Sequence, residues 1–339
     1  MNSYQRMKKR LNKEPVDRPP NFNIFMTFAA HYINQPLSKY YLDYRVLVDA
    51  NMAMVENFNM DIVQAISDPF REAFDFGAKI EFTEDDLPVN KEILLDEPNK
   101  LKSLQKPNPA TGKRMSDRLN AVRLMREKVG DEIPVMGWVE GALAEAGALR
   151  GITNVLMDMY ERPLWLKELL EIITEVEIEF ARAQVDAGAH IIGLGDAIAS
   201  QVSPDMYQEF VLPYEQRIFQ AVREMGAICR LHICGNTSAI LPFMVKSGAH
   251  IIDLDWMVNM KKAADQFSNQ VAFCGNVDPV SIMLRGKPGN VYEATKKCMA
   301  DGGANCFSAA GCEIPDKTPP ENLLAQYRSL VDVGNCKDS

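Results

Sequence analysis

Three segments of the chain share one pattern. Residues 187–196 read AGAHIIGLGD, residues 247–256 read SGAHIIDLDW, and residues 302–311 read GGANCFSAAG. Each follows an amphipathic helical stretch, turns at glycine and enters a short apolar run. Glycine after a helix supplies a left-handed cap, and a short apolar run suits a strand buried on both faces. The repeated unit is helix, turn, parallel strand.

Extending that unit predicts eight strands, at 22–28, 61–67, 134–139, 190–195, 227–234, 250–255, 271–276 and 305–311. Helices are expected near 116–128 and at 163–187, 205–224, 238–247, 291–301 and 320–332. Alternation carried to the C-terminus favours an α/β fold of the (β/α)8 TIM-barrel type over a six-stranded doubly wound sheet with an appended domain. The 339 residues then form a single barrel domain, 1–339, with an N-terminal arm at 1–20. The long connection at 68–132 is expected to be an insertion and candidate lid, because it is too poor in apolar residues for a core of its own.

The net charge of −9 argues against a nucleic-acid binder. The basic start has no apolar run behind it, so it does not read as a signal peptide, and no run of about 18 uncharged apolar residues suggests a membrane span. Seven cysteines, an odd number in a long chain, point to reduced thiols and a cytoplasmic setting. Only the terminal KDS reads as disordered.

Active-site groups of such barrels come from the C-terminal ends of strands. His232 and Cys234 stand at the end of the fifth expected strand, and Cys312 just past the eighth. One imidazole and two thiolates select zinc over magnesium or calcium, and three protein ligands leave a fourth position for water or substrate. The bland alternative is a core histidine with two filler cysteines.

Glu140, Asp196, Asp255, Asn276 and Asp278 also fall after expected strands. They are candidates for substrate binding or for orienting the metal ligands, with helix capping as the alternative and the preferred role for Asp278. Glu140 and Asp196 are further candidates for a displaceable fourth ligand. His190 and His250 open their strands and are expected to be structural. His31 lies beyond the first strand, and Cys274 shares parity with Asn276 and is expected to point inward. The other cysteines read as packing, apart from Cys336 in the tail.

Along nearly its whole length the chain resembles the uroporphyrinogen decarboxylase superfamily of barrels. The resemblance lies in EPVDRPP at 14–20, SDPFREAFDFGAKIEF at 67–82, SPDMYQEFVLPYEQRIF at 203–219, HICGNT at 232–237 and CGNVDP at 274–279. Within the superfamily it is similar to the zinc-dependent methylcobamide:coenzyme M methyltransferases. Those carry a His-x-Cys pair and a distant Cys as zinc ligands, which His232, Cys234 and Cys312 match.

The resemblance implies a Zn2+ cofactor, a corrinoid (methylcobalamin) carried by a partner corrinoid protein, a thiol acceptor such as coenzyme M, and often pairing as homodimers. A corrinoid-dependent demethylase of a methoxylated or methylamine substrate is the alternative on the same scaffold. A third reading is a non-catalytic barrel that binds a corrinoid protein or tetrapyrrole. Uroporphyrinogen decarboxylation is disfavoured, because NIFMTFAAHYINQP after the first strand lacks the arginines a polycarboxylate needs. Coenzyme M is a sulfonate and calls for a cationic or amide-rich corner, which the sequence does not identify.

Overall fold

The structure is a computed structural model that describes residues 1–335, so Cys336 and the tail after it lie outside the described residues. Nine strands occur in chain order: β1 (Val63–Gln64), β2 (Ile80–Glu81), β3 (Val89–Asn90), β4 (Val135–Glu140), β5 (Ile191–Gly195), β6 (Ile228–His232), β7 (Ile251–Leu254), β8 (Ala272–Val277) and β9 (Phe307–Ala310). Seven make one parallel sheet in the order β1-β4-β5-β6-β7-β8-β9, and β2 pairs with β3 as a separate hairpin. Helices lie between successive parallel strands, and the sheet curls into a barrel of the TIM class.

The repeat is the unit the chain uses. Gly188 and Gly248, after their helices, have φ of 112° and 94°, a conformation that glycine adopts without a Cβ penalty. The histidines that follow them brace neighbouring strands. His190 Nδ1 accepts from the Val135 amide at 3.0 Å, and His250 Nδ1 accepts from the Cys229 amide at 2.9 Å. Each imidazole satisfies an amide at the start of the adjacent strand, the first of β4 and the second of β6, which explains why histidine precedes the apolar run twice.

The eighth stave differs from expectation. In place of a strand over 22–28, the chain makes an isolated parallel bridge between Asn21 and Ser308, and a helix begins at Thr27. Phe22 N donates to Ser308 O at 2.8 Å and Asp61 N donates to Asn21 O at 3.0 Å, so this segment closes the gap between β9 and β1. Side chains take over the rest of the ladder. Asn23 Oδ1 accepts from Ala310 N at 2.7 Å, and Asn51 Oδ1 accepts from Gln64 N at 2.9 Å. With those amides occupied, the expected strand at 61–67 shortens to β1.

The expected strand at 227–234 likewise ends at His232, leaving Cys234 in the following turn. The helix expected at 205–224 is two helices, Pro204–Phe210 and Leu212–Glu224. Pro213 accounts for the break, since its ring excludes the carbonyl four residues earlier and it lacks an N–H. The segment expected as a helix at 238–247 shortens to Leu241–Met244 and a single 3-10 turn, Val245–Ser247. The helices Lys113–Val129, Pro163–Asp186, Pro288–Gly302 and Pro320–Asn335 fall where the periodicity places them.

The first twenty residues carry the helix Ser3–Leu11, which docks on the N-terminal end of the barrel. Arg6 Nη1 meets Asp61 Oδ1 at 2.7 Å, and Arg10 Nε donates to Cys306 O at 2.8 Å. Between 68 and 132 lie a helix (Arg71–Phe76), the β2–β3 hairpin, a 3-10 turn (Pro98–Ser103) and the helix Lys113–Val129. Buried Arg114 pins this region to the mouth of β1 through Asp68 Oδ2 at 2.6 Å and Tyr41 O at 2.8 Å. Among the described residues, no helix is long and apolar enough to cross a membrane.

Candidate metal centre

β6 carries Arg230 and His232 on its inward face by the two-residue period of a strand. The chain then turns at Gly235, whose φ of 92° sets Cys234 over the barrel mouth. Cys312 arrives from the far side, two residues past β9. Strands β7 and β8 separate β6 from β9, so it is the curvature of the sheet that brings the three side chains together.

His232 Nε2 lies 3.0 Å from Cys234 Sγ, the two sulfurs are 3.2 Å apart, and Cys312 Sγ is 3.9 Å from His232 Nε2. A tetrahedral zinc with ordinary bond lengths would hold S···S at about 3.8 Å and N···S at about 3.6 Å. The two N···S edges lie either side of that value and the S···S edge is short of it, so the donor set fits the ion with shifts of up to about 0.6 Å. Among the described residues this is the one cluster of three or more His, Cys, Asp or Glu ligand atoms, all within 4.8 Å of one another.

Asp255 ties the two ligand-bearing turns together. Its Oδ2 accepts from Gly235 N at 2.6 Å, beside Cys234. On the other side, a Cβ at Gly311 would sit 2.7 Å from Asp255 Oδ1 and 2.5 Å from Trp256 N. Glycine next to Cys312 therefore lets the two loops touch.

Beneath the trio runs a buried charge relay that the sequence reading missed. His232 Nδ1 is 2.8 Å from Asp253 Oδ2, and Asp253 Oδ1 is 2.9 Å from Arg230 Nε. Arg230 also donates from Nη2 to Phe22 O at 3.1 Å and lies 3.6 Å from Cys274 Sγ, which confirms that Cys274 points inward. Burial opposes the charge on Asp253, yet Arg230 and then His232 hold its carboxyl below the usual range. With Nδ1 committed to Asp253, Nε2 is the nitrogen that faces the two sulfurs.

The thiols are strongly coupled. Hydrogen bonding from Cys234 and then from His232 pulls the Cys312 thiol down to about 4 against the opposing effect of burial, and its partnership with Cys312 pushes Cys234 up. Burial works against protonation of His232, but the neighbouring Cys234 and Asp253 hold it well above its ordinary value.

The other rim residues fall into place around this centre without joining it. Glu140 Oε1 accepts from Arg71 Nη2 at 2.7 Å and from Trp138 Nε1 at 3.2 Å. Asp196 Oδ1 accepts from Ala144 N at 3.0 Å, and burial, followed by the charge of Glu140, pushes its carboxyl up to about 8. Neither carboxylate belongs to the cluster of ligand atoms formed by His232, Cys234 and Cys312. Asn276 Nδ2 donates to Val258 O at 2.7 Å and to Asp255 O at 3.2 Å, which stiffens the Asp255 loop. Asp278 Oδ1 caps the amides of Val280 and Ser281, both at 2.8 Å. His31 is paired with Asp316 at 2.6 Å and with Asp85 at 3.1 Å.

Trp138 is the other residue sequence reasoning passed over. Its ring centroid lies 6.1 Å from that of His232, and it crosses β5 where the strand has only glycine inside. A Cβ at Gly193 would come within 2.3 Å of the indole, and one at Gly195 within 2.8 Å. The two glycines spaced by two in IIGLG were the available signal, along with Arg230 and Asp253 at strand parity with His232 and Asp255.

The family model for uroporphyrinogen decarboxylase (URO-D) matches residues 2–330. Methylcobamide:CoM methyltransferase MtbA of Methanosarcina acetivorans is 30% identical over 330 residues, 94% of each chain. The uroporphyrinogen decarboxylase of Nostoc punctiforme is 29% identical over 222 residues, 62% of each chain. A solved methyltransferase from Methanosarcina mazei superposes with a TM-score of 0.89 over 100% of both chains at 24% identity, which supports the fold. The chain belongs to the uroporphyrinogen decarboxylase family and, within it, sides with the methyltransferases.

Proposed function

We propose that this methyltransferase is zinc-dependent and corrinoid-linked, and that it moves a methyl group from a methylated corrinoid, carried by a partner protein, to a thiol. The observation that carries the reading is the convergence of His232, Cys234 and Cys312 at the barrel mouth, with no fourth ligand in the cluster among the described residues. The methylcobamide:CoM methyltransferase relatives support the corrinoid and the thiol. A zinc ion held by these three residues would lower the pKa of a bound thiol so that it is a thiolate at neutral pH.

The overall reaction balances as thiol plus methylcob(III)amide giving thioether, cob(I)amide and a proton. The methyl group leaves cobalt without the bonding electron pair, which stays on the metal as cobalt(I). The chain's own residues hold and aim the site. His232 is oriented by Asp253, which is in turn neutralised by Arg230, and the turn carrying Cys234 is fixed by Asp255. Trp138 walls the side of His232 that faces β5. A reducing cytoplasm belongs to the same reading, since the site works only while Cys234 and Cys312 remain thiols, as they are here.

The test is spectroscopic. Protein mixed with methylcobalamin and a panel of thiols should convert the methylcobalt spectrum to the demethylated one, and Cys312→Ser should abolish the conversion. Absence of transfer to every thiol, with demethylation of a methoxyarene or methylamine by cob(I)alamin, would replace this reading with the demethylase.

A further inference from the structure

Across the Trp138 indole from the metal ligands, the barrel mouth contains a cavity of about 400 Å3. Its walls are apolar, with Phe70, Ile93, Ala144, Ile152 and Ile198 among them, and Glu140 and Asn90 are its polar members. The cavity stands at the level of the ligands. Glu140 pairs in register with Gly195, and Gly195 with His232, so the three close off one layer of the mouth. Two inter-strand spacings put the Glu140 and His232 backbones about 10 Å apart. Between them β5 offers no side chain, only the Trp138 indole that joins both residues.

The polar groups of the cavity are acceptors. Asn90 Nδ2 donates to Ala148 O at 2.6 Å, which fixes the amide's orientation, and leaves Asn90 Oδ1 buried without a partner. Glu140 already takes Arg71 and Trp138 as donors on its Oε1 and presents a carboxylate. None of the lining residues is Lys, Arg or His. Behind Glu140, the buried Arg71 guanidinium is already committed, to Glu140 Oε1 at 2.7 Å and to the Asp68 carbonyl. An anion placed in the cavity would meet the Glu140 carboxylate and the Asn90 carbonyl oxygen, and no free cation.

We infer that this cavity seats the body of the methyl-accepting thiol, and that this thiol is an apolar molecule bearing a hydrogen-bond donor, uncharged or cationic, and not a sulfonate or carboxylate. The inference rests on the proposed methyl transfer at His232, Cys234 and Cys312. It separates this chain from the coenzyme M in its relatives' names, because so short a thiol does not reach the cavity from the ligands, and a sulfonate on a longer chain would find no Lys, Arg or His lining it. A chain of about six carbons is of the order of the roughly 10 Å between the Glu140 and His232 positions.

The experiment has two arms. In the first, 1-hexanol, hexylammonium and hexane-1-sulfonate, which carry no thiol, are titrated calorimetrically into the intact protein. The alcohol and the ammonium should bind about tenfold more tightly than the sulfonate, or better. Ala144→Leu, which fills the cavity, should weaken the alcohol about tenfold, and Ile152→Ser at the exposed lip serves as a second variant with little bearing on folding. Equal or tighter binding of the sulfonate, or binding indifferent to both variants, overturns the inference. In the second arm, methyl transfer from methylcobalamin to 6-mercaptohexan-1-ol is compared with transfer to 6-mercaptohexane-1-sulfonate. A lower KM for the alcohol upholds the inference, and a lower KM for the sulfonate overturns it while leaving methyl transfer intact. Selective binding of the hexyl probes with neither thiol methylated would instead overturn the methyl-transfer reading, and with it the assignment of the cavity to an acceptor.

Discussion

His232 and Asp253 lie on adjacent strands and meet at 2.8 Å between Nδ1 and Oδ2, with both side chains buried. The pair decides which nitrogen of the imidazole faces the two cysteines, and Arg230 makes it affordable to keep the carboxylate inside the barrel. Asp253→Ala should therefore reduce zinc affinity by about 10- to 100-fold without touching a ligand. It should also destabilise the fold by about 3–5 kcal/mol, because Arg230 is left as an uncompensated buried charge. Asp253→Asn keeps an acceptor for His232 and should recover part of the affinity. Chelator competition on the three proteins measures the effect, and equal affinities would show that the relay does not orient the ligand.

The packing of Trp138 against β5 makes a steric prediction. Gly193→Ala places a methyl group 2.3 Å from the indole, and Gly195→Ala one at 2.8 Å. Overpacking of this kind costs about 1–3 kcal/mol, with Gly193→Ala the worse of the two. Near-UV circular dichroism should report a displaced tryptophan in both variants while zinc content stays at the wild-type level. Unchanged melting and spectra in Gly193→Ala would mean that the ring does not lie where the structure puts it.

Most of this architecture was legible from the chain, and what was not has a common cause. The repeat gives the strand and helix order from β4 onward, and His232, Cys234 and Cys312 were recognisable from strand-end position and ligand chemistry. The first stave was not, because FNIFMTF has the composition of a strand while Asn23 and Asn51 take the amides that a ladder would use. Asp253 and Arg230 were passed over because each is identified by its partner on another strand, which a single strand's pattern does not reveal. Glu140 and Asp196 have the right residue type at the right rim, but Arg71 and the Ala144 amide already occupy them.

Buried carboxyls set the pH response of the fold. Glu145 and Glu177 have all four carboxyl oxygens buried without hydrogen-bond partners, and burial raises both well above the ordinary value. Burial likewise pushes Glu72 to about 7 and Asp196 to about 8. A carboxyl whose folded pKa is raised favours the fold while protonated, so its contribution is present at acidic pH and is lost as pH climbs through the folded value. The melting temperature should consequently fall between pH about 5 and about 8. Glu177→Gln should flatten that slope and melt higher than wild type at the alkaline end. A melting temperature that rises over this range, or a Glu177→Gln slope as steep as wild type, would contradict the protonated state of this cluster.

Methyl transfer at this barrel mouth depends on a metal held by His232, Cys234 and Cys312. Protein purified with zinc available and dialysed free of loosely bound ions should contain about one zinc per chain by elemental analysis. The Cys234→Ser/Cys312→Ser double variant, folded by circular dichroism, should contain essentially none, because it has lost two of three donors and both sulfurs. Full zinc occupancy in that double variant, or a wild-type protein that holds no zinc with His232, Cys234 and Cys312 intact and reduced, would contradict it.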